Sequence, residues 1–231
     1  MQGWTFAYEP VPLGPPVPWD YEARAGELAS GATTVVDLGT AGGEVFERIL
    51  GGFAGRAVAT EGWGPNVPVA ARRLRPLGVN TVHALNLTLP FAAESIDLVL
   101  DRHEELLPSD VARVLRPGGR LLTQQVHPDY HAGLREFFPR MTVFEPHHRT
   151  YPAGLGAAGM DVVDLRQHSQ RVAYRQLGHL VYFLVAAPWT IPDFDLETDL
   201  EALLEVEQRL GGPEGIVLTD PRYLLEAHKP E

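Results

Sequence analysis

Three acids stand where a ligand site could use them: Asp37, Glu61 and Asp101. Each closes a short apolar run: Val35-Val36, Ala57-Val58-Ala59-Thr60 and Ile96-Asp97-Leu98-Val99-Leu100. The carboxyl ends of buried strands are where open α/β sheets bind their ligands. Asp37 is followed by Leu38-Gly39-Thr40-Ala41-Gly42-Gly43, and then by apolar residues at 45, 46, 49 and 50, the spacing of one helix face. Strand, glycine turn, helix is the opening unit of a nucleotide-type site. Gly39 can take a positive φ, backbone can come close to a ligand, and the following helix aims unpaired N–H groups at the same spot. Glu61, about twenty residues beyond the turn, could accept hydrogen bonds from both hydroxyls of a ribose.

The elements that must hold these residues follow from hydrophobic periodicity. Strands are expected near 34–38, 56–60, 80–85, 96–100 and 120–126, with helices near 19–29, 43–53, 66–75 and 108–115 between or before them. Strands alternating with helices at this interval imply a parallel sheet covered on both faces. Residues 1–18 hold five prolines and read as an irregular arm. Beyond residue 130 the rhythm changes: a helix near 132–137, strands near 142–145 and 160–165, helices at 177–187 and 197–210, and a last strand near 222–228.

Three blocks in this order resemble the class I S-adenosylmethionine-dependent methyltransferases, of the small-molecule, ubiquinone/menaquinone methyltransferase-like type. They are Val35–Gly43, the segment Leu89-Pro90-Phe91-Ala92-Ala93-Glu94-Ser95-Ile96-Asp97-Leu98-Val99, and Ala112-Arg113-Val114-Leu115-Arg116-Pro117-Gly118-Gly119-Arg120-Leu121-Leu122. The resemblance covers residues 20–130 well and the remainder only in rhythm. It implies one methyltransferase domain over 1–231, with an arm (1–18), a cofactor-binding half (about 20–130) and a substrate-side half (about 131–231). The implied fold is Rossmann-like: a seven-stranded, mostly parallel sheet, helices on both faces, the last strand antiparallel, and C-terminal lid elements. The implied cofactor is S-adenosylmethionine, with contacts at Asp37, Gly39, Thr40, Ala41, Gly43, Glu61, Gly62, Trp63, Asn86, Leu87 and Asp101. Ala41 replaces the family's middle glycine, which should shift the turn slightly. Trp63 could cover adenine or anchor a loop. Asn86 could receive the adenine amino group, although it lies one position off the usual spacing.

Methyl transfer from a sulfonium asks mainly for alignment, and for a base only when the acceptor must lose a proton. His103 and His127 follow the fourth and fifth strands and could serve as that base, or simply line the site. The Arg116–Gly119 turn should reverse the chain without doing chemistry. Gly154-Leu155-Gly156-Ala157-Ala158-Gly159 matches a dinucleotide pattern but precedes a strand instead of following one, so it reads as a loop or helix end. His127, His131, His147 and His148 offer no closed ligand set, and no metal is expected. The stretch 180–189 could wall an apolar acceptor pocket or pack a core, and the arm with Trp4, Phe6, Tyr8 and Trp19 could close over the same place.

Composition narrows the partners. The net charge is −11, from 19 basic and 30 acidic residues, which argues against nucleic acid, whose phosphates demand a basic surface. The absence of cysteine and of a basic, apolar leader fits a cytoplasmic protein. No apolar run approaches the ~18 residues of a membrane span. The expectation is therefore an enzyme that methylates a small, apolar or aromatic metabolite. A non-catalytic cofactor-binding module and a methyltransferase for RNA or protein are the alternatives. Oligomeric state is not legible.

Overall fold

The computed structural model describes residues 7–85 and 87–231. Its elements run β1 (Val11–Leu13), α1 (Tyr21–Ser30), β2 (Thr34–Leu38), α2 (Glu44–Ile49), β3 (Arg56–Glu61), α3 (Val67–Leu74), β4 (Asn80–His83) and β5 (Ile96–Arg102). There follow α4 (Pro108–Val114), β6 (Leu115–Val126), α5 (His147–Ala157), β7 (Asp161–Tyr174), α6 (Leu177–Ala186), α7 (Leu200–Leu210), β8 (Gly211–Gly212) and β9 (Gly215–His228). One sheet has the order β1-β7-β9-β6-β5-β2-β3-β4, with β8 beside β9. The strands β4, β3, β2, β5 and β6 are parallel, and β9 runs antiparallel between β6 and β7. The seven strands of the sheet that the resemblance implies are thus present with the last one reversed. The two additional strands are the short β1 and the two-residue β8.

Both faces of the central strands are buried, which is why they read as continuous apolar runs instead of alternating ones. Helices α1–α3 cover one face around Val35, Ala57, Leu98, Leu100, Leu122 and Leu224. Helices α4 and α5 cover the other around Val36, Val99, Leu121 and Leu225. Asp20 caps α1 by accepting from Ala23 N (2.9 Å), and Gly31 ends it. Much of the second and third sequence blocks is scaffolding. Asp97 accepts from Thr33 N, Thr33 Oγ1 and Thr34 N and pairs with Arg116, while Arg113 donates to the carbonyls of Leu89 and Phe91.

Three local expectations change, and one helix appears where none was expected. Residues 142–145 form no strand: Thr142 N donates to Thr190 O (3.0 Å), and Pro146 follows. The helix near 132–137 is a single 3-10 turn, Ala132–Glu136. The Gly154–Gly159 segment lies at the end of α5, a helix missed because its glycines and Pro152 hide a buried stripe of His148, Tyr151 and Leu155. The Arg116–Gly119 turn bulges out of a continuous β6: Leu115 pairs with Ile96 and Arg120 with Leu98, and Gly118 N donates to Lys229 O at 2.8 Å.

The second half is built on an overhang. Strand β6 stops at Val126, opposite Arg222, but β7 and β9 stay paired from Ser169–Pro221 up to Tyr174–Ile216. At ~3.3 Å per residue the hairpin rises about 20 Å past the carboxyl edge of the sheet. It carries a core of its own, in which Val172, Tyr174, Ile216 and Leu218 meet Leu134, Phe138, Leu180, Leu184, Leu203 and Val206. Strand β1 joins this overhang through Val11–Ala173, and Tyr8 stacks on His179 of α6 at 4.5 Å. The arm and the second half therefore form one lid-like body over the carboxyl edge. Trp4 and Phe6 lie outside the described residues. Among the described residues no helix is long and apolar enough to cross a membrane.

Candidate functional site

At the carboxyl edge, the chain leaves β2 in a turn closed by Thr40 N to Thr60 O and Gly43 N to Thr40 O, both 2.9 Å. Gly39 has φ +59°, and a Cβ there would lie 2.7 Å from the Glu104 side chain. The glycine is thus required by conformation and also by an internal neighbour. Gly43 has φ +82°, and a Cβ would come within 2.8 Å of Leu74. Ala41 keeps the left-handed conformation, φ 53°, that its missing glycine would take freely. A residue with a Cβ accepts that conformation at a cost of about 1–2 kcal/mol.

Asp37 is buried at the base of this turn. Burial pushes its carboxyl up to about 7, against the lowering effects of Thr40 and Arg102 and with a further rise from Glu61. Glu61 is buried as well and is raised by burial, although its Oε1 accepts from Trp63 N at 2.7 Å. Trp63 itself is 66% exposed, so it anchors no core. Leu85 (74%) and Leu87 (47%) are also exposed, and a Cβ on Gly62 would touch Leu85 at 3.3 Å. Trp63 and Leu85 thus place exposed apolar side chains next to Gly62 and the Glu61 carboxylate. Asn86 lies outside the described residues.

Asp101 serves differently. It is fully buried and accepts from Thr123 Oγ1 (2.8 Å), Gln125 Nε2 (2.7 Å) and Glu104 N (3.2 Å). Burial raises its carboxyl well above the usual range, helped by Glu104 and Asp37. Its oxygens are spent inside the fold, where they hold the Glu104 segment against Gly39.

A cleft of about 610 Å³ opens along the α1 side of the same edge. Pro16, Val17, Trp19, Asp20, Tyr21, Glu22 and Ala23, from the arm and α1, line one side, and Arg102, Gln124, Gln170 and Arg222, from the sheet, the other. Trp19 Nε1 donates to Gln124 Oε1 (2.7 Å), which ties the arm's end to β6. Arg222 donates from Nε and Nη2 to Asp220, at 2.9 Å each, and Gln170 Nε2 donates to the same carboxylate at 3.3 Å. Tyr21 is buried close enough to Asp37, Asp101 and Arg102 to feel all three charges, and burial raises its hydroxyl.

The two histidines are not brought together. His103, at φ 71°, lies against Arg222, whose Nη1 is 3.0 Å from the imidazole Nε2. Burial and then the charges of Arg222 and Arg102 hold its pKa well below the usual value. It is a neutral ring whose Nε2 lone pair accepts from Arg222, and a poor base. His127 packs on His148 (4.3 Å between centroids), with Nδ1 accepting from Asp129 N at 3.2 Å. His131 is buried among Tyr130, Tyr174 and Phe183, and burial pushes it down to about 3. Among the described residues no group of three His, Asp or Glu could hold a metal ion. The apolar stretch at 180–189 mostly packs the lid: Leu180 and Leu184 are fully buried in its core.

Sequence reasoning missed Tyr21, Gln170 and Arg222 as cleft residues. Tyr21 looks like one more position on a buried helix stripe with Ala25 and Ala29. Gln170 and Arg222 meet only through the β7–β9 pairing, so no local signal marks them.

Comparison with known proteins agrees with this geometry. Residues 36–123 match a family model described as a methyltransferase domain. No curated protein matches the chain. Among solved structures, the YcgJ protein of Bacillus subtilis is 19% identical with a TM-score of 0.66, covering 91% of this chain and 98% of its own. The geranyl diphosphate C-methyltransferase of Streptomyces coelicolor, solved with Mg2+, geranyl diphosphate and S-adenosyl-L-homocysteine, is 17% identical (TM-score 0.55; 90% of this chain, 80% of that one). The [4+2]-cyclase SpnF is 19% identical (TM-score 0.58; 90% and 80%). At such identities the likeness is one of fold.

Proposed function

We propose that the chain is a class I S-adenosylmethionine-dependent methyltransferase, as the methyltransferase-domain match of residues 36–123 supports, and that it methylates a small molecule with an aromatic or apolar body. The acceptor lies in the cleft against Trp19, Val17 and Pro16. The observation that carries this reading is the adjacency of cleft and turn: Arg102 lines the cleft and at the same time lowers the pKa of Asp37.

The residues at the turn fit the cofactor. Glu61 offers a carboxylate to the ribose hydroxyls, and Trp63, Leu85 and Leu87 offer an apolar surface to the adenine. The backbone at Gly39–Gly43, above the acidic cluster of Asp37, Asp101 and Glu104, suits the cationic methionine portion. The cofactor, when bound, supplies an activated methyl group on a sulfonium. The chain's own work is then to align the acceptor and exclude water. Tyr21 and Trp19 lie between cleft and turn and do the aligning. With His103 neutral and held by Arg222, an acceptor that attacks as a neutral amine or arrives already ionised suits this site best. The lid over the carboxyl edge keeps out water. The lack of cysteine supports a reducing compartment, the cytoplasm.

Calorimetry with S-adenosylmethionine, S-adenosylhomocysteine and NAD tests the reading. Micromolar binding of the first two without NAD binding is the expected result. Binding of NAD alone would sink it, and cofactor binding without turnover across a broad acceptor panel would leave a non-catalytic module.

A further inference from the structure

Arg102 stands apart from the other arginines. Each of the others that is not fully exposed has a carboxylate partner: Arg24 and Arg120 on Glu226, Arg73 on Glu44 and Glu47, Arg113 on Asp110, Arg135 on Asp129, Arg222 on Asp220. Arg102 is partly buried and lines the cleft, yet its guanidinium makes no ion pair or hydrogen bond among the described residues. The residues outside the description (1–6 and 86) contain no acid.

The acids near it are already engaged. Glu22 holds Arg48 through two contacts of 2.6 and 2.7 Å, and Asp20 is exposed and caps α1. Asp220 is taken by Arg222. Around the cleft, Asp220 offsets Arg222, Arg48 offsets Glu22 and Asp20 keeps its charge at the exposed rim, so Arg102 is the lining arginine without a carboxylate of its own. Arg222 adds donors without adding net charge: three of its five N–H groups serve Asp220 and His103, so two remain. A partly desolvated guanidinium with no partner is costly to keep, and its planar fork matches a carboxylate.

We propose that the acceptor is a small organic acid whose carboxylate is bound by Arg102, with the spare N–H groups of Arg222 alongside. The inference rests on the methyl-transfer reading and deepens it: the aromatic or apolar body lies toward Trp19, and one negative charge lies at the inner wall. A single carboxylate matches the single unpaired guanidinium, whose planar fork it fits.

The test uses benzoate as probe and benzamide as its neutral counterpart. Thermal shift and calorimetry are run at constant ionic strength, with and without saturating S-adenosylhomocysteine. Benzoate is expected to raise the melting temperature while benzamide does not. Arg102→Gln should weaken benzoate binding at least tenfold, with Arg102→Lys intermediate. The glutamine variant should melt no lower than the wild type, because it removes an unpaired charge, and should keep S-adenosylhomocysteine affinity within about twofold, one tenfold step being 1.4 kcal/mol. Equal responses to benzoate and benzamide, or an unchanged benzoate response in Arg102→Gln, would overturn the proposal. So would a tenfold loss of S-adenosylhomocysteine affinity in that variant, since the arginine would then hold the cofactor's own carboxylate. Failure of the wild type to bind S-adenosylhomocysteine strikes the methyl-transfer reading instead, because the benzoate arm is also read without it.

Discussion

At the turn end of the site, Asp37, Glu61 and Asp101 gather at the carboxyl edge and burial raises all three. At the cleft end, Arg102 and Arg222 face one another's charge, and burial lowers Arg102. One end is ready for a cation and the other for an anion, within a single edge of one sheet. On the proposed reading, such polarity would orient a cationic donor and an anionic acceptor toward each other before any contact is made. It also means that the empty protein keeps charged groups at a cost, which is the usual signature of a site instead of a core.

The largest effect should come from Glu61→Ala. Two hydrogen bonds to a charged group, at about 1.5–3 kcal/mol each, are lost, so S-adenosylhomocysteine should bind at least tenfold more weakly by calorimetry. Unchanged affinity would erase the turn end as a ribose site.

The next effect is pH dependence. Asp37 in the folded protein titrates near 7 against an ordinary value of 3.8, so the folded state holds more protons across that interval. Stability of the ligand-free protein should therefore fall as pH rises from about 4 through 7, by an amount bounded at a few kcal/mol. Asp37→Asn should flatten the profile and raise the melting temperature at pH 8. If the ionised carboxylate receives the cofactor's ammonium group, affinity for S-adenosylmethionine should climb several-fold between pH 6 and 8, and the asparagine variant should lose that climb. A flat wild-type profile in both measurements would remove the charge contrast between the two ends.

Trp19→Phe sharpens the contrast from the other side. It deletes the hydrogen bond to Gln124 and trims the cleft wall, so an acceptor's KM should rise about threefold to tenfold, in line with about 1 kcal/mol for a single bond. S-adenosylhomocysteine affinity should not move. A parallel loss in both would mean that cleft and turn are one continuous pocket.

The smallest effect is Ala41→Gly. Relief of the left-handed Cβ competes with the greater freedom of glycine in the unfolded chain, leaving a gain of at most about 1 kcal/mol. A rise of a few degrees in melting temperature would fit. A fall would mean that the turn has already adapted to alanine.

Much of the turn end was legible because its signals are local. The strand, the glycines and the helix from 35 to 50 lie on one continuous piece of chain, and Glu61 marks the end of the next strand. Even there one reason differed. Gly39 leaves room for Glu104, a neighbour more than sixty positions away, as well as for a ligand. The cleft end was only half legible. His103 could be named from its place after a strand, but its partner Arg222 could not. The helix α5 was hidden by its own glycines and proline, whose local preferences yield to burial of His148, Tyr151 and Leu155.

The sequence by itself determined the parallel sheet, the order of its central elements and the place of the turn, because hydrophobic period and backbone freedom act within a few residues. Only the tertiary structure decided which charges face each other. The register of β7 on β9 sets Gln170 against Asp220, and the overhang of that hairpin raises the lid that β1 completes. The register of β9 on β6, and of β6 on β5, carries Arg222 to His103, and the packing of α1 carries Trp19 to Gln124. Pairings of this kind join residues up to about two hundred positions apart, and a side chain's charge carries no mark of the partner that long-range packing will bring to it.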